Sequence, residues 1–347
     1  MTRSASRNQF LSSVLDRRFR RTSRWPPRNA WLICCSTSPE ADPVPAVTAT
    51  TDQAASLRKL VSASKTTTVP RKGRVISVTS GKGGVGKTNI SINLAYALAS
   101  MGRRVYLLDA DLGLANIDVL LNLTPAYTID DVLSGEMELR DIIADGPGNI
   151  KVLPSSSGVV EMAELDEDRQ AHLLEKLKDL DDDMDYLIID TGAGIAGNVL
   201  RFSVCADEII LVVAAEPSSM TDAYSVIKVM ASRYDIRSFN LLANSLESPK
   251  QGERVFEHLQ KVSRDFLQLE LNYLGGIPRD PKLIKAVRSQ RPLLEMFPDS
   301  PAAKSIKALA QHIETSASVP RSLAETPRSD KPLRFWERIL QWREKKN

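Results

Sequence analysis

With 347 residues, 42% hydrophobic and 26% charged, the chain can bury one large α/β core or two smaller ones. A formal net charge of +3 argues against a general nucleic-acid coat, although Arg17, Arg18, Arg20, Arg21, Arg24 and Arg28 crowd one stretch. Cys34, Cys35 and Cys205 lack C-x-x-C spacing, and His172, His258 and His312 stand outside any ligand or triad context, so neither a zinc site nor a disulfide framework is expected. That cysteine usage fits a reducing cytoplasm. No run approaches the ~20 apolar residues of a membrane span, and the apolar patch at 30–35 is too short for a secretory signal.

In chain order, residues 1–50 are rich in Arg, Ser and Pro and lack periodicity. They are expected to be disordered or extraneous to the native product, which would then begin at a non-Met start such as Val44 or Val47. Residues 51–72 hold a short helical pattern and a Thr/Pro/Lys linker. From 73 to 315, short apolar runs alternate with helical patterns, and strands are predicted at 75–79, 105–109, 150–153, 186–190, 208–214, 239–243 and 273–277. These runs are continuously apolar, as required when both sheet faces are covered. The expected fold is therefore α/β: a doubly wound, mostly parallel sheet with helices on both faces. After the first strand, Ile90, Leu94, Ala97, Leu98 and Met101 share one helical face. Residues 316–332 read as a linker, and 333–347 carry a last amphipathic helix.

Gly81-Lys82-Gly83-Gly84-Val85-Gly86-Lys87-Thr88 matches G-x-x-x-x-G-K-[ST] between a predicted strand and a predicted helix, the context a phosphate loop requires. Glycines let consecutive N–H groups point at phosphate oxygens, and the helix start adds its positive end. Lys87 is placed for the β/γ-phosphates, the Thr88 hydroxyl is a Mg²⁺ ligand candidate, and Asn89 continues the cradle. Lys82 is either a solvated charge or a further phosphate contact, from its own or another subunit.

Two later strands end in acids: Asp109-Ala110-Asp111 and Asp190-Thr191-Gly192. Parallel sheets bind ligands at the carboxyl ends of their strands, so these acids reach the phosphate edge. Asp109 and Asp190 are candidates to stand behind Mg²⁺, an ion that prefers oxygen donors. Asp111 is placed to orient an attacking water. Taken singly, each could be a helix cap or turn former.

Together these residues resemble the MinD/ParA class of deviant Walker ATPases over about residues 73–315. Within that class, 79–89, 107–121 and 277–291 look most similar to the flagellar-number regulators (FlhG or FleN). The resemblance implies ATP hydrolysis with Mg²⁺ in a homodimer, where Lys82 reaches the partner's phosphates and Asp111 positions the water. It also implies that Asn244 reads adenine and that Pro278, Arg279 and Asp280 flank the base. Spacing alone leaves Asn244 a turn residue.

At the ends, Leu333, Phe335, Trp336, Ile339, Leu340 and Trp342 share one half of a helical wheel, while Arg334, Arg338, Gln341 and Lys345 share the other. That is an interfacial pattern for an anionic membrane surface, or a helix docked on a protein core. The resemblance favours membrane targeting, with a cytoplasmic protein held at the inner face of the cell membrane. Asp52 to Arg58 is bland alone, but it resembles the N-terminal element by which such regulators activate an SRP-type GTPase, FlhF. A flagellar transcription regulator or basal-body component is a further implied partner, and direct nucleic-acid binding is not expected. Septum placement or chromosome partition is the alternative within the class, although no helix-turn-helix precedes residue 72. An iron–sulfur reductase is rejected because the folded region holds only Cys205. A non-hydrolysing ATP-binding module is disfavoured by intact Lys87, Thr88 and Asp111.

Overall fold

The computed structural model describes residues 73–111, 116–127, 131–132, 136–153, 180, 183–316 and 334–342. The expectations for 1–50 and 51–72 and for most of the 316–332 linker lie outside them. Among the described residues, eight strands form one sheet: β1 (Arg74–Ser80), β2 (Val105–Ala110), β3 (Ala144–Asp145), β4 (Lys151–Leu153), β5 (Tyr186–Ala193), β6 (Glu208–Ala214), β7 (Phe239–Leu246) and β8 (Leu271–Pro278). Their order is β3-β4-β2-β5-β1-β6-β7-β8. Every pairing is parallel except β3 with β4. The predicted strands are all present, and β3 is an unpredicted edge piece of two residues.

Helices cover both faces, which is why the strands read as unbroken apolar runs. On one face Ile76, Leu107, Ile188 and Val212 pack with α1 (Lys87–Ser100), and further along with α6 (Pro281–Arg288), α7 (Leu293–Met296) and α8 (Pro301–Ser316). On the other face lie α3 (Gly197–Cys205), α4 (Pro217–Tyr234) and α5 (Pro249–Leu267). The short α2 (Ile117–Leu120) follows β2.

Helix α1 is more enclosed than a one-faced helix. Ile90, Leu94, Ala97 and Leu98 are buried as expected, but so are Ser91, Ile92, Asn93 and Ala95. Helix α8 packs over its outer side, so little of it is left for water. Met101 sits at the helix end and is exposed.

The C-terminal helix α9 (Phe335–Gln341) departs from the membrane expectation in this conformation. Phe335, Trp336 and Ile339 are buried against Leu108, Leu187, Ile189 and Phe202, completing the apolar cover over β2, β5 and α3. Arg338 pairs with Asp207 at 2.7 Å, and the Arg201 guanidinium lies 4.9 Å over the Trp342 ring. The face read as free for lipid is covered by the chain's own core. A strip of sheet left uncovered by α3 gives the aromatic side chains an apolar partner.

Candidate active site

The central position of β1 sets the site. Its neighbours β5 and β6 lead away on opposite sides, so the loop after β1 opens into the crevice at the carboxyl ends of the strands. The Ser80 hydroxyl donates to the Lys82 carbonyl at 2.7 Å and shapes the loop start. Gly84 and Gly86 take φ of 77° and 94°, a left-handed backbone that exposes N–H groups toward a ligand. Gly81 needs its missing Cβ for a different reason. A Cβ there would stand 2.1 Å from the backbone of Asp222, where the first turns of α4 press on the loop.

Helix α1 starts at Lys87, so its N–H groups face the cradle with Thr88 and Asn89 in the first turn. Lys87 is buried, which pushes its ammonium below the ordinary lysine range, while the charges of Asp190 and Asp111 pull it back up. Asp190 is 2% exposed and accepts hydrogen bonds from the hydroxyls of Ser91, at 2.9 Å, and Thr88. Burial pushes its carboxyl up to about 7, Asp109 adds to the rise, and the two hydroxyls and Lys87 oppose it. Ser91, one turn after Lys87, carries no motif signal and was legible only as a helix residue.

Asp109 has a different job from Asp190. Its oxygens accept the backbone N–H groups of Asp111 at 3.1 Å, Asn116 at 2.8 Å and Ile117 at 3.1 Å. It therefore ties the loop that carries Asp111 to the start of α2. Asp111 itself faces Gly192, where an added Cβ would lie 3.3 Å from its carboxylate. The Gly194 N–H donates to the Ser80 carbonyl at 2.8 Å, so the loop after β5 is stitched to the phosphate loop.

Lys82 donates to Glu216 at 2.9 Å and to the Ser218 hydroxyl at 3.0 Å. Neither residue was anticipated, since both sit at an ordinary strand-to-helix turn with Pro217 between them. At the far side of the edge, Asn244 is buried and donates its amide to the Val85 carbonyl at 2.7 Å. Pro278 and Arg279 lie beside the end of β7: Pro278 pairs with Leu246, and the Arg279 N–H donates to the Leu246 carbonyl at 2.9 Å. The Arg279 side chain reaches exposed Glu247. Asp280 is a cap, with one carboxylate oxygen accepting from Lys282 N–H at 3.0 Å and the other from Ala302 N–H at 3.2 Å.

Among the described residues no three His, Cys, Asp or Glu side chains gather to hold a metal unaided. Lys87, a buried ammonium, feels the charges of Asp190 and Asp111, and Asp109 lies close enough to raise the Asp190 carboxyl, so three carboxyl groups lie near one buried cation. A hard divalent cation that takes its remaining ligands from phosphate oxygens and water fits this donor set.

A phosphate loop on the central strand, with acids at the ends of β2 and β5, defines a P-loop nucleoside triphosphatase. The ParA family profile, described as NUBPL iron-transfer P-loop NTPase, matches residues 71–314. The chain therefore belongs to the ParA/MinD family of P-loop NTPases, and it is an ATPase. For the iron-transfer part of that description the described residues offer no thiol pair, since Cys205 is alone and buried.

Antiactivator FleN of Pseudomonas aeruginosa is 48% identical over 242 residues, covering 70% of this chain and 86% of that protein. Flagellum site-determining protein YlxH of Helicobacter pylori is 36% identical over 241 residues, covering 68% and 80%. A chain of the MinC:MinD cell division protein complex of Aquifex aeolicus superposes with a TM-score of 0.57 at 30% identity, over 72% of this chain and 98% of that one. MinD of Pyrococcus horikoshii, solved with Mg-ADP, gives a TM-score of 0.56 at 28% identity, over 71% and 98%.

Proposed function

We propose that this chain is an ATP- and Mg²⁺-dependent switch that dimerises with ATP, attaches to the inner face of the cell membrane and regulates flagellar number or placement. The observation that carries the reading is Lys82 beside an intact phosphate edge, in a chain related to a flagellum site-determining protein. The loop N–H groups and Lys87 bind the triphosphate, and Asp111 orients the attacking water. Mg²⁺, held by Thr88 with Asp190 and Asp109 behind it, supplies charge neutralisation at the phosphates. Lys82 leaves Glu216 and Ser218 to reach the partner's phosphates, so hydrolysis depends on dimerisation. Asn244 reads adenine, with Pro278, Arg279 and Asp280 beside it.

Membrane attachment by α9 requires Phe335, Trp336 and Ile339 to leave the core. The Trp336 indole N–H meets no acceptor among the described residues, and a buried orphan donor costs about 1–3 kcal/mol, which lowers the barrier to release. Two released helices in one dimer act together on anionic lipid. Residues 52–58 fold on an SRP-type GTPase of the FlhF kind, with Gln53 offering an amide to its catalytic water and Ala54 and Leu57 as anchors. The likeness to an antiactivator supports a transcription regulator as a further partner.

The test uses the full chain carrying Asp111→Ala. With ATP·Mg²⁺ it should elute as a dimer and sediment with anionic liposomes, and with ADP it should do neither. A monomer under both nucleotides overturns the switch. A second reading, septum placement, is favoured by the structural likeness to MinD. An unchanged flagellar count in a deletion strain with altered septa would select it.

A further inference from the structure

Asn244 does more in the fold than face a base. It lies near the end of β7, paired with Ala214 of β6, and is 8% exposed. Its side chain donates to the carbonyl of Val85, at 2.7 Å, inside the phosphate loop. The geometry also explains Gly86. A Cβ on Gly86 would lie 2.5 Å from the Asn244 amide nitrogen, so the amide fills the space that glycine leaves open. Directly after this grip the loop turns into helix α1, whose first hydrogen bond runs from Ile90 N–H to the Gly86 carbonyl at 3.1 Å.

The chemistry assigns the two ends of the amide. A carbonyl only accepts, so the nitrogen of Asn244 must face Val85. The oxygen is left as an acceptor for a ligand donor. The exocyclic amine of adenine is such a donor, whereas the 6-oxo group of guanine would oppose it.

We propose that Asn244 is a positioning residue for the phosphate cradle: it clamps the Val85–Gly86 turn from beneath, so that base recognition and phosphate binding share one side chain. The base half of this statement rests on the reading of Asn244 given under Proposed function, and the clamp half does not. A base seated on the amide oxygen polarises the same amide whose N–H holds the loop, so an adenine nucleotide strengthens the clamp that forms its own phosphate site. Removing the amide should loosen the loop even when no base is present.

The experiment compares the full wild-type chain with Asn244→Ala and Asn244→Ser, neither of which reaches Val85. Circular dichroism first establishes that each variant is folded. Hydrogen exchange of the nucleotide-free proteins then reads residues 85–94. Loss of the clamp should speed exchange at the first turn of α1 by about fivefold or more. Calorimetry with Mg²⁺ and inorganic tripolyphosphate, which has no base, should show affinity reduced by about fivefold or more. Calorimetry with ATP and GTP completes the set.

Unchanged exchange together with unchanged tripolyphosphate affinity overturns the clamp, even if ATP binding falls; Asn244 would then be a base contact only. Equal losses for ATP and tripolyphosphate support the clamp and remove the base reading. A larger loss for ATP than for tripolyphosphate supports both. Should the wild type bind tripolyphosphate too weakly to measure, the exchange data alone decide, in the same two directions.

Discussion

The phosphate edge and the seam beneath α9 are made of opposite materials. At the edge the working parts are backbone N–H groups, glycines at positive φ and a few polar side chains, most of them supplied by residues 81–89. At the seam the working parts are Phe335, Trp336 and Ile339, pressed on side chains from β2, β5 and α3. The first is a conformation that the residues of a short stretch make available, and contacts from Asn244 and Gly194 secure it once the sheet has assembled. The second exists only once distant segments have met. A local motif therefore announces its chemistry, whereas an amphipathic helix announces only that one side wants burial. Lipid, another protein or its own core satisfies that side equally well.

The comparison breaks most visibly at the edge. Lys87→Ala should lower ATP affinity by about 100-fold or more, because it removes the buried ammonium at the end of the loop, while leaving the far-ultraviolet circular dichroism unchanged. Asp111→Ala should keep ATP affinity within about threefold yet slow phosphate release by about 100-fold or more. Near-normal ATP binding by Lys87→Ala would remove the loop from the function. The seam should answer to a different measurement. Trp336→Ala should lower the urea-unfolding free energy of the nucleotide-free chain by about 3–5 kcal/mol, as expected for emptying a buried aromatic site. Its affinity for ATP should stay put. If stability does not change, α9 spends its time away from the core.

Much of the edge was legible because each signal was short and contiguous. Seven apolar runs became strands since burial on both faces demands them, and β3 escaped because two residues carry no periodicity. Asp111 comes to the crevice directly after β2 and Asp190 on β5, and Lys87 and Thr88 come to it at the start of α1. Roles that depend on which N–H a carboxylate meets could not be read. Asp109 and Asp280, expected near the metal and the base, also accept backbone N–H groups at the starts of two helices, a role that no spacing signals. The grip of Asn244 on Val85 spans 159 positions in sequence, and no pattern of residues signals it.

A fourth prediction separates the two buried acids by degree, and the sign follows from burial. Asp190 titrates near 7 in the folded chain, above its ordinary carboxylate value of 3.8. The folded state thus holds a proton that the unfolded state has already lost. Through this group, stability is full below about pH 4 and falls as pH rises to about 7, then levels off. Asp190→Asn should abolish hydrolysis and yet stabilise the nucleotide-free chain at pH 8 by about 1–3 kcal/mol, flattening that slope. Burial raises the Asp109 carboxyl as well, but three backbone N–H bonds oppose that rise, so Asp109→Asn should stabilise the chain less than Asp190→Asn does. Equal effects of the two variants on chemical denaturation would show that the acids do one job.

The smallest effect is expected where the seam meets water. Arg338 reaches Asp207 at 2.7 Å, and a second oxygen of Asp207 accepts the Val75 N–H at 3.0 Å, so the pair links α9 to the start of β1. About a third of each side chain remains exposed, at 29% and 34%. An ion pair so placed is screened by solvent and contributes at most about 0.5–1 kcal/mol. Arg338→Ala should therefore cost far less stability than Trp336→Ala, and its cost should vanish in about 1 M salt, where the Debye length is ~3 Å. The cost of Trp336→Ala should survive salt, since apolar burial does not depend on screening. Denaturant titrations of both variants at low and high salt read this directly. A salt-sensitive loss for Trp336→Ala, or a loss for Arg338→Ala as large as that of the tryptophan, would mean that charge and not apolar packing holds α9 on the core. In that case release onto an anionic membrane would be driven by competition for the arginine.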